Sequence, residues 1–263
     1  MMFAVGTGMT LGGLRAVTRR PVAVGAALAF QWLLLPLLVA AIDSVLQPPP
    51  LVTTALFLIA ISPGGALSNA YTYLAGANTE LSVAMTSLST VLAVGSVPLL
   101  ATWWLQNLET PVDGSLLAVQ LLATVLVPVV AGMIIAARYP ARITGAKRVL
   151  RMLVIGGIVL ILIAVFAQNG AAVFANAIAV IAATLMFTFV AGGAAAVVGW
   201  LLGQEPRDRW ALIFELATRN LAVASLVGAS VGEPAVIAVA ALFLLVQTPL
   251  MLGLARATRL SER

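Results

Sequence analysis

The feature that most constrains this chain is the spacing of its charges. Uninterrupted runs without Asp, Glu, Lys or Arg cover 21–42, 44–79, 81–108, 114–137, 152–204 and 235–255. A helix that crosses a membrane needs about 20 mostly apolar residues to cover ~30 Å of hydrocarbon. The run 152–204 is long enough for two such helices, with a turn signal at Gln168, Asn169 and Gly170. A further apolar region, 210–231, is interrupted only by Glu215 and Arg219. The sequence therefore predicts eight spans, A to H, over 21–42, 51–77, 81–104, 115–137, 152–168, 173–202, 210–231 and 235–255.

The charges that do occur fall on one side. If the eight spans alternate, Arg15, Arg19 and Arg20, then Arg138, Arg142, Lys147, Arg148 and Arg151, then Arg207 and Arg209, and finally Arg256, Arg259 and Arg263 share one face of the membrane. The opposite face receives Asp43, Glu109, Asp113 and Glu233 and no basic residue. Basic loops favour the cytoplasm, so the expectation is a multi-pass cell-membrane protein with a cytoplasmic C-terminus. Residues 1–14 are also uncharged, but would reach only ~21 Å as a helix. They read as the second half of a helix beginning before residue 1, loosely held.

Composition excludes other classes. Only 9% of residues are charged, against about 25% in soluble domains. The net charge of +5 does not point to nucleic acid, because the basic residues lie in short tracts between apolar runs rather than on one soluble face. No cysteine and no histidine occur, which removes thiol nucleophiles, thiolate metal sites and the commonest general base. With one intramembrane carboxylate and no such partner, an enzyme is not expected.

Two places inside the spans are polar. Glu215 and Arg219 in span G either neutralise each other as a structural i,i+4 pair or line a polar cavity. Span B contains Ser62, Pro63, Gly64 and Gly65, followed by Ser68 and Asn69. Proline removes an amide donor and glycine tolerates unwound backbone, so this stretch is either a kink or a true break. A break at membrane depth must be buried or line a wet cavity. Span B is second in the triplet A–B–C and span G second in F–G–H, and the two triplets run in opposite directions. Paired interruptions at corresponding places of inverted halves point to a transporter binding site. Ser82 and Thr86 in span C share a helical face, where each hydroxyl either satisfies its own backbone or faces the site. Gln31, the only carboxamide in span A, makes an interhelical hydrogen bond or joins the site.

The run Pro63 to Asn69, continuing through Tyr71, Thr72, Tyr73, Leu74 and Ala75, resembles the bile acid:sodium symporter family. So do the runs Leu81 to Thr86 with Ser89 and Thr90, and Glu215 to Ala222. Met9, Thr10 and Leu11, and Gln31 with Pro36, resemble the segments before these. The resemblance implies an all-α, inverted-repeat secondary transporter of ten helices with two broken, crossing helices, of which spans A to H would be the last eight and 1–14 a partial one. It implies a core domain of 21–108 and 173–256, broken at 61–69 and 215–220, and a panel of 1–14 and 115–168. It implies a sodium site formed by Ser68, Asn69, Ser82, Thr86 and Glu215. A second ion site would involve Gln31 and Glu215, with Arg219 standing where the family pattern has a glutamine, its fork expected to reach Glu215 and Gln31. Asn69, Thr72 and Asn220 would contact substrate. The expected function is sodium-coupled uptake of a small organic anion, such as a bile-acid-like compound or a keto acid. The alternatives are a non-transporting membrane remnant or scaffold, and a sodium-independent carrier because of Arg219. Sodium is the expected coupling ion; the organic anion, the lipid bilayer and a second copy of the chain are the expected partners, and nucleic acid is not one. Arsenite carriers share the general architecture but handle the metalloid with a cysteine, which this chain lacks.

Overall fold

The computed structural model describes residues 2–9, 17–105, 113–143 and 174–261, with scattered positions between 145 and 171. The described residues are almost entirely helical. Proline sets several starts, since its missing amide has no intrahelical partner there. Pro21 opens α1 (Pro21–Leu46), Pro50 opens α2 (Pro50–Ile61), and Pro206 opens α6 (Pro206–Ala217). The others are α3 (Ala66–Leu74), α4 (Thr79–Leu105), α5 (Ala177–Leu201), α7 (Leu221–Ser230), α8 (Val236–Ser261), αN (Met2–Gly8) and αP (Gly114–Arg138).

Among the described residues five helices are long and apolar enough to cross a membrane: α1, α4, αP, α5 and α8. They match predicted spans A, C, D, F and H. Spans B and G are each divided, B into α2 and α3, G into α6 and α7. Span E, at 152–168, lies outside the described residues apart from isolated positions. The helix that carries span G extends beyond it. Predicted at 210, the helix begins at Pro206, so Arg207 and Arg209 belong to its first turn rather than to a loop, and Asp208 between them is buried.

The core centres on α2, whose residues Ala55 to Ile61 are all buried. A helix apolar all round belongs in an interior. Phe57 stacks on Trp104 of α4 at 4.2 Å between ring centroids, and Phe187 of α5 meets Phe243 of α8 edge-on at 5.7 Å. Large apolar side chains also point outward: Leu99 is 71% exposed and Ile178 86%. An exterior so apolar suits lipid rather than water.

Residues 2–8 pack closely against αP. A side chain at Gly6 would strike the Val129 carbonyl, and one at Gly132 the Phe3 carbonyl, so αN and αP touch backbone to backbone. Small residues permit that approach, the usual means of packing helices in lipid.

At one end of the molecule, Arg19 lies 3.8 Å from Glu80, and Arg20 lies 3.5 Å from Glu205 and 3.2 Å from Asp208. The starts of α1, α4 and α6, which the span count places on the basic side, therefore meet in space.

Candidate functional site

Both divided helices break for legible reasons. Pro63 disfavours helical angles in the residue before it, and Ser62 is accordingly extended, with ψ of 150°. At the second break Thr218 is extended and Asn220 opens α7, its Oδ1 accepting the Val223 amide at 3.3 Å. Such a side-chain cap satisfies an amide that the helix start leaves free.

The breaks cross each other. Gly64 and Arg219 form an isolated antiparallel bridge, and the Asn220 amide donates to the Pro63 carbonyl at 2.9 Å. The glycines are needed for this approach. A Cβ on Gly65 would stand 2.9 Å from the Arg219 carbonyl oxygen, and one on Gly64 would overlap Oε1 of Glu215. The Gly64 amide is held by Ser89 Oγ at 3.1 Å.

Beside the crossing, five side chains converge. Glu215 Oε2 accepts from Ser68 Oγ at 2.6 Å, from Thr86 Oγ1 at 2.9 Å and from Ser82 Oγ at 3.4 Å. Thr86 also reaches Glu215 Oε1 at 2.8 Å. Asn69 Oδ1 accepts from Ser82 at 2.7 Å and from Thr86 at 3.2 Å. The structure thus brings together Ser68 and Asn69 of α3, Ser82 and Thr86 of α4, and Glu215 of α6. All are buried except Asn69, which is half-buried. The hydroxyls of Ser82 and Thr86 turn to these partners rather than to their own helix backbone.

Other expected residues are placed differently. Arg219 is buried, yet it forms no ion pair with the Glu215 carboxylate within 4.0 Å among the described residues. Instead Nη1 donates to the main-chain carbonyl of Glu215 at 3.3 Å and Nη2 donates to the Ser62 carbonyl, while Nε has no partner. The guanidinium therefore spans the carbonyl ends of both α2 and α6. Gln31 is buried at a π-turn, Phe30–Leu34, and the expected hydrogen bond from Arg219 to it is not made among the described residues, since Nη1 and Nη2 donate to the two carbonyls and Nε has no partner. Thr72 donates to the Ser68 carbonyl at 2.8 Å, a bond within its own helix. Asn220 is spent through Oδ1 on capping α7.

Sequence reasoning missed Gln247. From α8 its Nε2 donates to the Ala217 carbonyl at 2.7 Å and to Thr188 Oγ1 at 3.1 Å, tying α5 and α8 to the end of α6. Its signal was available: Gln247 is the only carboxamide in the uncharged run 235–255.

Two interrupted helices that cross at their breaks and face a cluster of oxygen donors form the pattern found in membrane carriers of the broken-helix class. Comparison with known proteins gives the family. The model of the sodium bile acid symporter family matches residues 1–176, and the chain belongs to that family. The match takes in Ser68, Asn69, Thr72, Ser82 and Thr86; Glu215, Arg219 and Asn220 lie beyond it. Among relatives, a Bacillus subtilis protein described as an uncharacterized sodium-dependent transporter, YocS, is 32% identical over 64% of this chain and 52% of its own length. The human sodium-dependent organic anion transporter is 30% identical over 63% of this chain and 44% of its own. A probable chloroplastic sodium/metabolite cotransporter of rice, BASS2, is 35% identical over 53% of this chain and 33% of its own. The matched segment thus spans between a third and about half of each of these relatives.

Proposed function

We propose that this chain carries out sodium-coupled transport of a small organic anion by alternating access. The observation that carries the reading is the convergence of Ser68, Asn69, Ser82, Thr86 and Glu215 beside two crossing helix breaks. Every donor is oxygen: three hydroxyls, one amide carbonyl and one carboxylate. Hard oxygen donors suit a hard cation, and hydroxyls that now donate to Glu215 can rotate to present lone pairs instead. Sodium is the cation on which the similar transporters depend by description.

In this reading the eight spans form two inverted triplets with a panel between them, and the C-terminus is cytoplasmic. The core comprises 21–108 and 173–256, the panel 1–14 and 115–168. The first turns of α3 and α7 offer positive dipole ends at the crossing, which favour an anionic group. Asn69 and Asn220 are the proposed substrate contacts there, because each has an Nδ2 without a hydrogen-bond partner among the described residues. Thr72 is a weaker choice, since its hydroxyl is spent on its own helix.

One observation favours a variant of this reading. The Arg219 guanidinium already occupies the carbonyl ends of α2 and α6, the kind of place where a cation is held in carriers with interrupted helices. Such a fixed charge lowers the number of sodium ions moved per cycle, and in the limit gives a sodium-independent carrier.

The test is sodium-dependent thermal stabilisation of purified protein, with choline chloride holding ionic strength constant. Wild type should be stabilised by sodium, and Glu215→Gln should lose the response. Thr86→Val and Ser82→Ala should show partial losses, Thr86→Val the larger because Thr86 meets both carboxylate oxygens and Asn69. A sodium response unchanged in Glu215→Gln would overturn the assignment.

A further inference from the structure

Three charged side chains are buried among the described residues: Glu215, Arg219 and Asp208. The first two belong to the crossing, whereas Asp208 lies outside it at the start of α6. Burial of a carboxylate is unfavourable unless it is paired and hydrogen-bonded, and Asp208 is both. Its Oδ1 accepts from Asn78 Nδ2 at 2.7 Å, and its Oδ2 lies 3.2 Å from Nη1 of Arg20. Asn78 is itself fixed: its Oδ1 accepts the Leu81 amide at 3.1 Å, and its own amide donates to the Arg207 carbonyl at 3.1 Å. Arg207 Nε completes the joint by donating to the Gly76 carbonyl at 3.0 Å. Gly76 has φ of 75°, a left-handed turn that glycine adopts without strain.

The spacing relates this joint to the oxygen cluster. Asp208 precedes Glu215 by about two helical turns, so both lie on one face of α6 roughly 10 Å apart along its axis. Asn78, Ser82 and Thr86 follow one another at intervals of four, on one face at the start of α4. The two helices are therefore joined along a single seam at two levels, Glu215 with Ser82 and Thr86 at one, Asp208 with Asn78 at the other. The second attachment limits how far α6 can slide or rotate against α4.

We propose that Asp208 is a positioning residue, which through Asn78 holds α6 in the register that delivers the Glu215 carboxylate to Ser82 and Thr86. The inference rests on the reading of that cluster as a sodium site. Asp208 does not touch the ion; it sets how far the five oxygens must move to close around one.

The experiment is sodium titration of the melting temperature of the purified full chain, with sodium chloride as the probe and choline chloride as the balance. Residues that act on a site without touching its ligand typically change affinity by roughly 2- to 30-fold, so Asp208→Ala should raise the apparent sodium constant about tenfold, displacing the curve of melting-temperature shift against sodium to higher concentration. Asp208→Asn keeps an acceptor for Asn78 and should raise it less. Asn78→Ala should also raise it, and the double variant should lose less than the sum of the two, because the Asp208–Asn78 contact is common to both. An unchanged sodium constant with a melting temperature lowered in every solution would make Asp208 purely structural and overturn the proposal. So would additive losses in the double variant, or equal losses in Asp208→Asn and Asp208→Ala. If Asp208→Ala does not fold, Asn78→Ala alone decides by the same criterion. A wild type without any sodium response overturns the sodium reading and this inference together; a responsive wild type with indifferent variants overturns the inference alone.

Discussion

Adding one methyl group, in Gly64→Ala, tests whether the crossing and the oxygen cluster are one device. The new Cβ would overlap Oε1 of Glu215 and stand 3.2 Å from Thr86 Oγ1. The backbone has little room to retreat, since the Gly64 amide is held by Ser89 and the preceding Pro63 carbonyl by the Asn220 amide. The carboxylate must therefore leave, giving up its bonds from Ser68 at 2.6 Å and from Thr86 at 2.8 Å. Hydrogen bonds to a charged group contribute about 1.5–3 kcal/mol each, so the displacement forfeits roughly 3–6 kcal/mol. That loss falls on the sodium-free protein; sodium binding weakens separately, because the one carboxylate no longer reaches the other four oxygens, and a loss of at least about 1.4 kcal/mol makes it at least about tenfold weaker. The assay is the sodium dependence of melting temperature in purified protein, with Gly95→Ala as control, because a Cβ at Gly95 meets nothing within 4 Å. The reasoning is refuted if Gly64→Ala binds sodium within about tenfold of wild type. It is equally refuted if Gly95→Ala loses as much.

Arg219→Gln removes the fixed cation from the carbonyl ends of α2 and α6; sodium and substrate flux in proteoliposomes should show one more sodium per substrate than wild type, and identical charge movement would refute the stand-in role. Gln247→Leu leaves the buried Ala217 carbonyl and the Thr188 hydroxyl without their donor, at a cost of about 1–3 kcal/mol. Chemical denaturation should register that loss at saturating and at zero sodium alike, and a stability equal to wild type would show that the bond holds nothing in place.

The charge-free runs determined much of this protein before any coordinates. They follow from the energetics of hydrocarbon, which tolerates few charges and no unsatisfied backbone, so span positions can be read from composition alone. The breaks were also legible, because Pro63, Gly64 and Gly65 act through the geometry of their own residues. The residue types of the oxygen cluster stood in the sequence too, on helical faces that a spacing of four reveals for Ser82 and Thr86.

Relations between helices were beyond such reading. The i,i+4 rule would pair Glu215 with Arg219, but it holds only inside a continuous helix. The helix α6 ends at Ala217, so Arg219 lies past its last turn and turns to the carbonyls of Glu215 and Ser62 instead. Asp208 reads from sequence as one more loop charge; only the meeting of α1, α4 and α6 buries it and supplies Arg20 and Asn78 as partners. Likewise nothing local joins Pro63 to Asn220 across more than 150 positions of chain. Local chemistry decides where a helix can start, break and turn a polar face. Which faces then meet depends on packing the whole bundle at once, because the contact between two helices is a property of neither sequence segment by itself.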